Sequence, residues 1–135
     1  MLRIYFIVFS LLFLSPISTA SAAPAADYIE MCNIMKKINQ QGEQSFTKQD
    51  IIRGMLCYGT MTGLVDGYWV QSLVTAVVND QPSEKFQLIC IPESVTTIQL
   101  IDVWLDYMDK NQGAGEEIFG AVVHRAIYAQ FPCRS

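Results

Sequence analysis

The sequence predicts a small all-α domain of four helices, stapled by disulfides and preceded by a cleaved signal peptide. Three observations lead there. Apolar residues recur at helical spacing, with no sustained two-residue alternation anywhere in the chain. Two Thr-x-x-Asp/Gln sequences, at Thr47–Asp50 and Thr96–Gln99, resemble the capping boxes that open helices. Four cysteines, an even number, all lie beyond an N-terminal leader.

The leader comes first. Arg3 is the only charge before Asp27, an apolar run extends from Ile4 to Leu14, and Ala20-Ser21-Ala22 fits an A-x-A cleavage site. That run is far shorter than the roughly 20 residues of a spanning helix. Residues 1–22 are therefore read as a signal peptide and 23–135 as a single exported domain, with no membrane association after cleavage. The richest later segment, Tyr68–Val78, is interrupted by Gln71, Ser72 and Thr75.

Beyond the leader, Tyr28, Met31, Met35 and Ile38 fall on one helical face with Cys32, and Gly42 ends that helix. Thr47 then opens a long apolar-rich segment from Ile51 to Val78. Within it Gly59, Gly63 and Gly67 repeat every fourth residue. Each glycine costs a helix about 1 kcal/mol relative to Ala, so the stripe is expected to let another backbone approach closely. The competing reading is a break near Gly67. Asn79–Ser83 is turn chemistry, and Pro92 forces a non-helical step after Cys90. Thr96 opens a third helix ending at Asp109, and Asn111–Gly115 is a Gly-rich turn. A last helix is expected from Glu116 to about Gln130, its two leading glutamates facing the positive helix N-terminus. Phe119, Val122, Val123, Ala126 and Ile127 form its buried stripe, and Pro132 stops it.

Charge and motif content narrow the function. The whole chain has a formal charge of −4, and without Arg3 there remain 8 basic against 13 acidic residues. A net −5 argues against nucleic acid or an anionic membrane as partner. With no C-x-x-C pair, disulfides are favoured over zinc or redox chemistry for Cys32, Cys57, Cys90 and Cys133. Asp102, Asp106 and Asp109 share one helix face, but they lack the loop and ligand number of a calcium site. They read as a solvated or docking surface. His124, the single histidine, has Glu117, Ala121 and Tyr128 on its own face and no nucleophile motif nearby, so it reads as a surface residue. No catalytic, cofactor-binding or metal residue is assigned, and an enzyme is not expected.

Three short motifs carry a family resemblance. Cys57-Tyr58-Gly59 with Gly63 and Asp66 resembles the C-x-G…G-x-x-D stretch of the Rap/Tai proteins. Cys90-Ile-Pro92…Val95-Thr96…Gln99-Leu100 resembles their C-x-P-x-x-V-T-x-x-Q-L stretch, and Phe131-Pro132-Cys133 their terminal F-P-C. The tyrosine stands one place early, at Tyr58, and Asn111–Gly115 replaces a charged linker. The resemblance implies an all-α periplasmic immunity protein of type VI secretion, often a homodimer, that binds and blocks a peptidoglycan amidase effector. It carries over no contact residue. The alternatives are an HdeA-like periplasmic acid-stress chaperone, which would loosen near pH 2–3, and an apolar-ligand carrier, which would need an internal cavity.

Two specific expectations remain. The turn near Gly42 brings Cys32 level with Cys57. The turn at Gly113 does the same for Cys90 and Cys133. Of three possible pairings, 32–57 and 90–133 are therefore expected. Partner contacts are expected at the protruding turns Asn79–Lys85, which carries Asp80 and Glu84, and Lys110–Gly115, which carries Lys110, Asn111 and Gln112. The carboxylates of Asp102, Asp106 and Asp109 lie beside the second turn.

Overall fold

The computed structural model describes residues 22–133. Residues 1–21, most of the segment read as a signal peptide, lie outside the described residues, as do Arg134 and Ser135. Among the described residues there are four α-helices: α1 (Ala26–Gln41), α2 (Lys48–Asn79), α3 (Thr97–Lys110) and α4 (Phe119–Gln130). None is long and apolar enough to cross a membrane.

Local chemistry sets most of the helix boundaries. Thr47 Oγ1 accepts from the Asp50 amide, and Asp50 Oδ2 accepts from the Thr47 amide, both at 3.2 Å. Thr96 and Gln99 exchange the same two bonds at 3.3 and 2.8 Å. Both expected capping boxes are present. Gly42 ends α1 at φ 79°, a left-handed conformation that suits a residue without Cβ. Asp80 closes α2 in the left-handed region at φ 49°, while the Gln81 amide donates back to the Ala76 carbonyl.

α2 is one uninterrupted helix of 32 residues, about 48 Å at 1.5 Å per residue; Gly67 does not break it. Its N-terminal half packs along α1, where the Cys32–Cys57 bridge joins them. The second bridge, Cys90–Cys133, ties the segment before α3 to the end of α4. Both expected pairings stand.

The core lies where α1, α2, α3 and α4 converge. Trp104, Met61, Ile101, Val122, Val123 and Ile127 are fully buried there. Phe119 stacks on Tyr28 with ring centroids 3.9 Å apart and meets Trp104 edge-on at 5.0 Å. All five residues expected to face inward from α4 are buried.

Two expectations fail. A Cβ built on Gly59, Gly63 or Gly67 would meet nothing within 4 Å, so the glycine stripe faces open space. The close approach is at Gly54 instead: a Cβ there would lie 3.3 Å from the Met35 backbone and 3.0 Å from Ile38 Cδ1. The last helix also starts later than expected. Gln112–Glu116 is a 3₁₀ turn, and Glu117 and Ile118 run extended before α4 begins at Phe119. That extension pairs with the residues ahead of α1: the Ala25 amide donates to the Glu117 carbonyl and the Phe119 amide to the Ala23 carbonyl, at 2.8 and 3.1 Å. Glu117 forms an ion pair with Arg125 at 2.6 Å, so it does not act as a charge on the first turn of α4.

Candidate functional site

The C-terminal half of α2 overhangs the bundle. Beyond its contact with α4 at Tyr68, it meets the 3₁₀ turn Ser83–Lys85 and the chain that follows. Between them lies an open groove of about 620 Å³. One wall is α2, through Val65, Tyr68, Trp69, Ser72 and Thr75. The other is the segment from Lys85 to Val95, and His124 of α4 closes one side. Trp69 and Leu88 on its rim are 56% and 60% exposed.

The groove's base is well organised. The Tyr68 hydroxyl donates to the Gly120 carbonyl at 3.0 Å, fixing α2 to α4. His124 sits edge-on to Tyr68, centroids 5.0 Å apart, and parallel to Tyr128 at 6.3 Å. It is half-buried in an aromatic stack and not a plain surface residue. Burial pushes the Tyr68 phenol up to about 12, because the phenolate would lose its hydration. The folded-state pKa lies above the unfolded one, so this group's contribution to stability is fully present below about pH 10 and is lost as the pH rises through about 12. A phenolate absorbance titration should therefore show a late step near pH 12, and Tyr68→Phe should remove it. A wild-type curve without a late step contradicts this burial.

The residues expected to bind a partner are not gathered into one site. Asp80 and Glu84 are exposed at the turn that ends α2, beside the groove. Asp80 also serves as the left-handed helix end. Asp102, Asp106 and Asp109 lie on α3, with Lys110 in its last turn and Asn111 and Gln112 behind it. Asp106, Asp109, Lys110, Asn111 and Gln112 are all exposed. Asp102 is already engaged, with its Oδ1 2.6 Å from Lys36 Nζ. That hydrogen bond and the charge behind it raise the Lys36 pKa, and Asp106 and Asp109 add to the effect. Both partners are over a third exposed, so the pair contributes at most about 1 kcal/mol. The turn behind α3 is anchored: Ala114 is buried, and a Cβ on Gly115 would touch Ala26 Cβ at 3.4 Å. The Asn111 side chain holds the Tyr107 carbonyl at 2.8 Å.

A second surface follows from the uncovered glycines. Ile52, Met55, Leu56, Val70, Val74 and Val77 fall on the same side of α2 as Gly59, Gly63 and Gly67, and each is more than half exposed. α2 thus carries apolar side chains on this uncovered face too, interrupted there by Asp66. A helix of that composition ordinarily lies inside a larger core. Sequence reasoning saw this composition but assigned the glycine face to the interior. It missed the groove because the two walls come from segments about twenty residues apart.

Among the described residues no group of three or more His, Cys, Asp or Glu side chains is placed to hold a metal ion. The family model of the Rap1a immunity proteins matches residues 25–133, which is nearly all of the described chain. No curated protein and no solved structure matches.

Proposed function

The chain belongs to the Rap1a immunity protein family, and from that premise we propose that it is exported to the periplasm, where it binds and silences a peptidoglycan amidase delivered by type VI secretion. The match across the whole disulfide-stapled domain carries this reading. The cleaved leader and the two disulfides fit an oxidising compartment. The exposed turns at Asp80–Glu84 and Lys110–Gln112 are the protrusions that would fill an enzyme cleft, with Asp106 and Asp109 steering the approach to a basic rim.

The test is the rate of peptidoglycan cleavage by a cognate type VI amidase, sought first among the genes beside this one, with and without the purified mature protein. Near-stoichiometric inhibition is expected. Asp106→Lys should chiefly slow association, with the deficit shrinking in high salt as charges are screened. Substitutions at Asn111 and Gln112 should mainly speed dissociation. An amidase that stays fully active beside excess folded protein contradicts the proposal.

The functional unit we propose is a homodimer formed through the uncovered face of α2. Its half-exposed aliphatic side chains, together with Leu73, present on the order of 700 Å² per protomer, near the ~800 Å² per partner of standard interfaces. The glycines allow two such helices to approach closely. Light scattering of the mature protein should show a dimer. Val70→Asp, which adds a charge to the middle of that face, should give a folded monomer whose unfolding midpoint is lower than the dimer's and no longer depends on protein concentration. Wild-type protein that is monomeric at every concentration contradicts the dimer.

A further inference from the structure

The segment opposite α2 in the groove carries an isolated antiparallel bridge, so one of its edges is in use. Ile89 bridges Pro132 in antiparallel fashion. The Cys90 amide donates to the Phe131 carbonyl at 2.9 Å, and the Cys133 amide to the Leu88 carbonyl at 3.1 Å. In a ladder, successive residues turn their N–H and C=O groups to opposite sides. Leu88 and Cys90 therefore spend theirs on residues 131–133, and Ile89 turns its own the other way. Those of Ile89 have no hydrogen-bond partner among the described residues, and neither have those of Gln87 and Ile91, two places to either side. All three residues line the groove. Ile89 is 8% exposed, so its side chain anchors the segment in the core while its backbone edge is turned to the groove. The Cys90–Cys133 bridge holds this edge in place from behind.

We propose that the Gln87–Ile91 edge receives an extended segment of the effector, which adds as a strand and lies in the groove against α2. This rests on the immunity reading for the identity of the partner. It adds a main-chain contact separate from the protruding turns. Backbone pairing supplies the register, and alternate side chains supply the selectivity. Side chains of the incoming strand that turn towards α2 meet Tyr68, Trp69 and Val65 and should be apolar. Those at the groove mouth meet Asp66 and Glu93, against the single ammonium of Lys85, so a basic residue is favoured there. Five extended residues span about 17 Å, and the groove volume lies within the usual range for bound ligands. An apolar small molecule fits less well, because it would leave the Ile89 N–H and C=O without partners.

The experiment is residue-resolved hydrogen exchange on the mature protein, alone and with the cognate amidase. In the free protein the amides of Gln87, Ile89 and Ile91 should exchange readily. In the complex they should slow by about tenfold or more. Trp69→Ala, at an exposed rim position, should fold normally and weaken binding by about tenfold or more. A complex that forms while these three amides exchange unchanged overturns the proposal. If the amidase does not bind at all, the immunity reading fails, and a phage-displayed random peptide library decides the groove independently. Selected peptides that protect the Ile89 amide and lose binding to Trp69→Ala support the strand site. A library that yields none overturns it.

Discussion

Replacing both Cys90 and Cys133 with serine should cost the folded domain about 4 kcal/mol, the loop-closure entropy of a bridge spanning 43 residues. For a domain of this size that is roughly 15 °C or more in the unfolding midpoint. The effect should exceed the entropy because of what the bridge holds. Residues 86–95 belong to no helix and are secured by the Ile89–Pro132 bridge and its two flanking hydrogen bonds. Without the disulfide, those bonds and the packing of Ile89, Ile91 and Val95 on the core are left to hold the segment. Its hydrogen exchange should rise well before the helices open. The Cys32–Cys57 bridge closes 25 residues and should contribute about 3.5 kcal/mol by the same reasoning. Its loss should leave α1 and α2 together, because they already pack along their length. Thermal unfolding of the two double variants checks both figures. A Cys90/Cys133 variant within 1 kcal/mol of wild type would show that the segment is fixed by something else.

Gly54→Val should be the most damaging single substitution in α2. The new Cβ would press on the Met35 backbone at 3.3 Å, and backbone cannot rotate away as a side-chain end can. Overpacking of this kind costs about 1–3 kcal/mol, and the two added methyls place Gly54 at the upper end or beyond. Gly63→Val is the matched control, with the same chemistry on the same helix and nothing within 4 Å. It should change the stability of the protomer by no more than about 0.5 kcal/mol. Chemical denaturation of both variants in the Val70→Asp background, where the proposed dimer face no longer contributes, tests the packing directly. Equal losses, or a larger loss at Gly63, would place the close helix contact on the wrong face.

These two glycines also mark how far the sequence could be read. Helix periodicity shows which residues share a face, and it placed Gly59, Gly63 and Gly67 together. It cannot show which face is covered. A helix with apolar side chains on its uncovered face too offers no clear polar side to exclude, so the stripe was turned inward, whereas the true contact is the lone Gly54. The capping boxes were legible because their chemistry is complete within four residues. The disulfides were legible because turn positions set which cysteines stand level. The start of α4 was not, since Glu117 and Ile118 are held extended by Ala23–Ala25, nearly a hundred residues away. The Ala/Pro composition of that partner segment gives no sign of pairing. The exposed turns carrying Asp80, Glu84, Asn111 and Gln112 lie where turn chemistry put them. The groove was invisible because Gln87–Ile91 has no periodic pattern, and its open edge exists only once Cys133 is bridged behind it.

The immunity claim is tested most directly by survival. Cells that express the cognate amidase in the periplasm should lyse. The same cells co-expressing the full-length chain should keep growing, and cells co-expressing it without residues 1–22 should lyse like the unprotected ones. Lysis despite folded, exported protein in the periplasm would contradict the account at its centre.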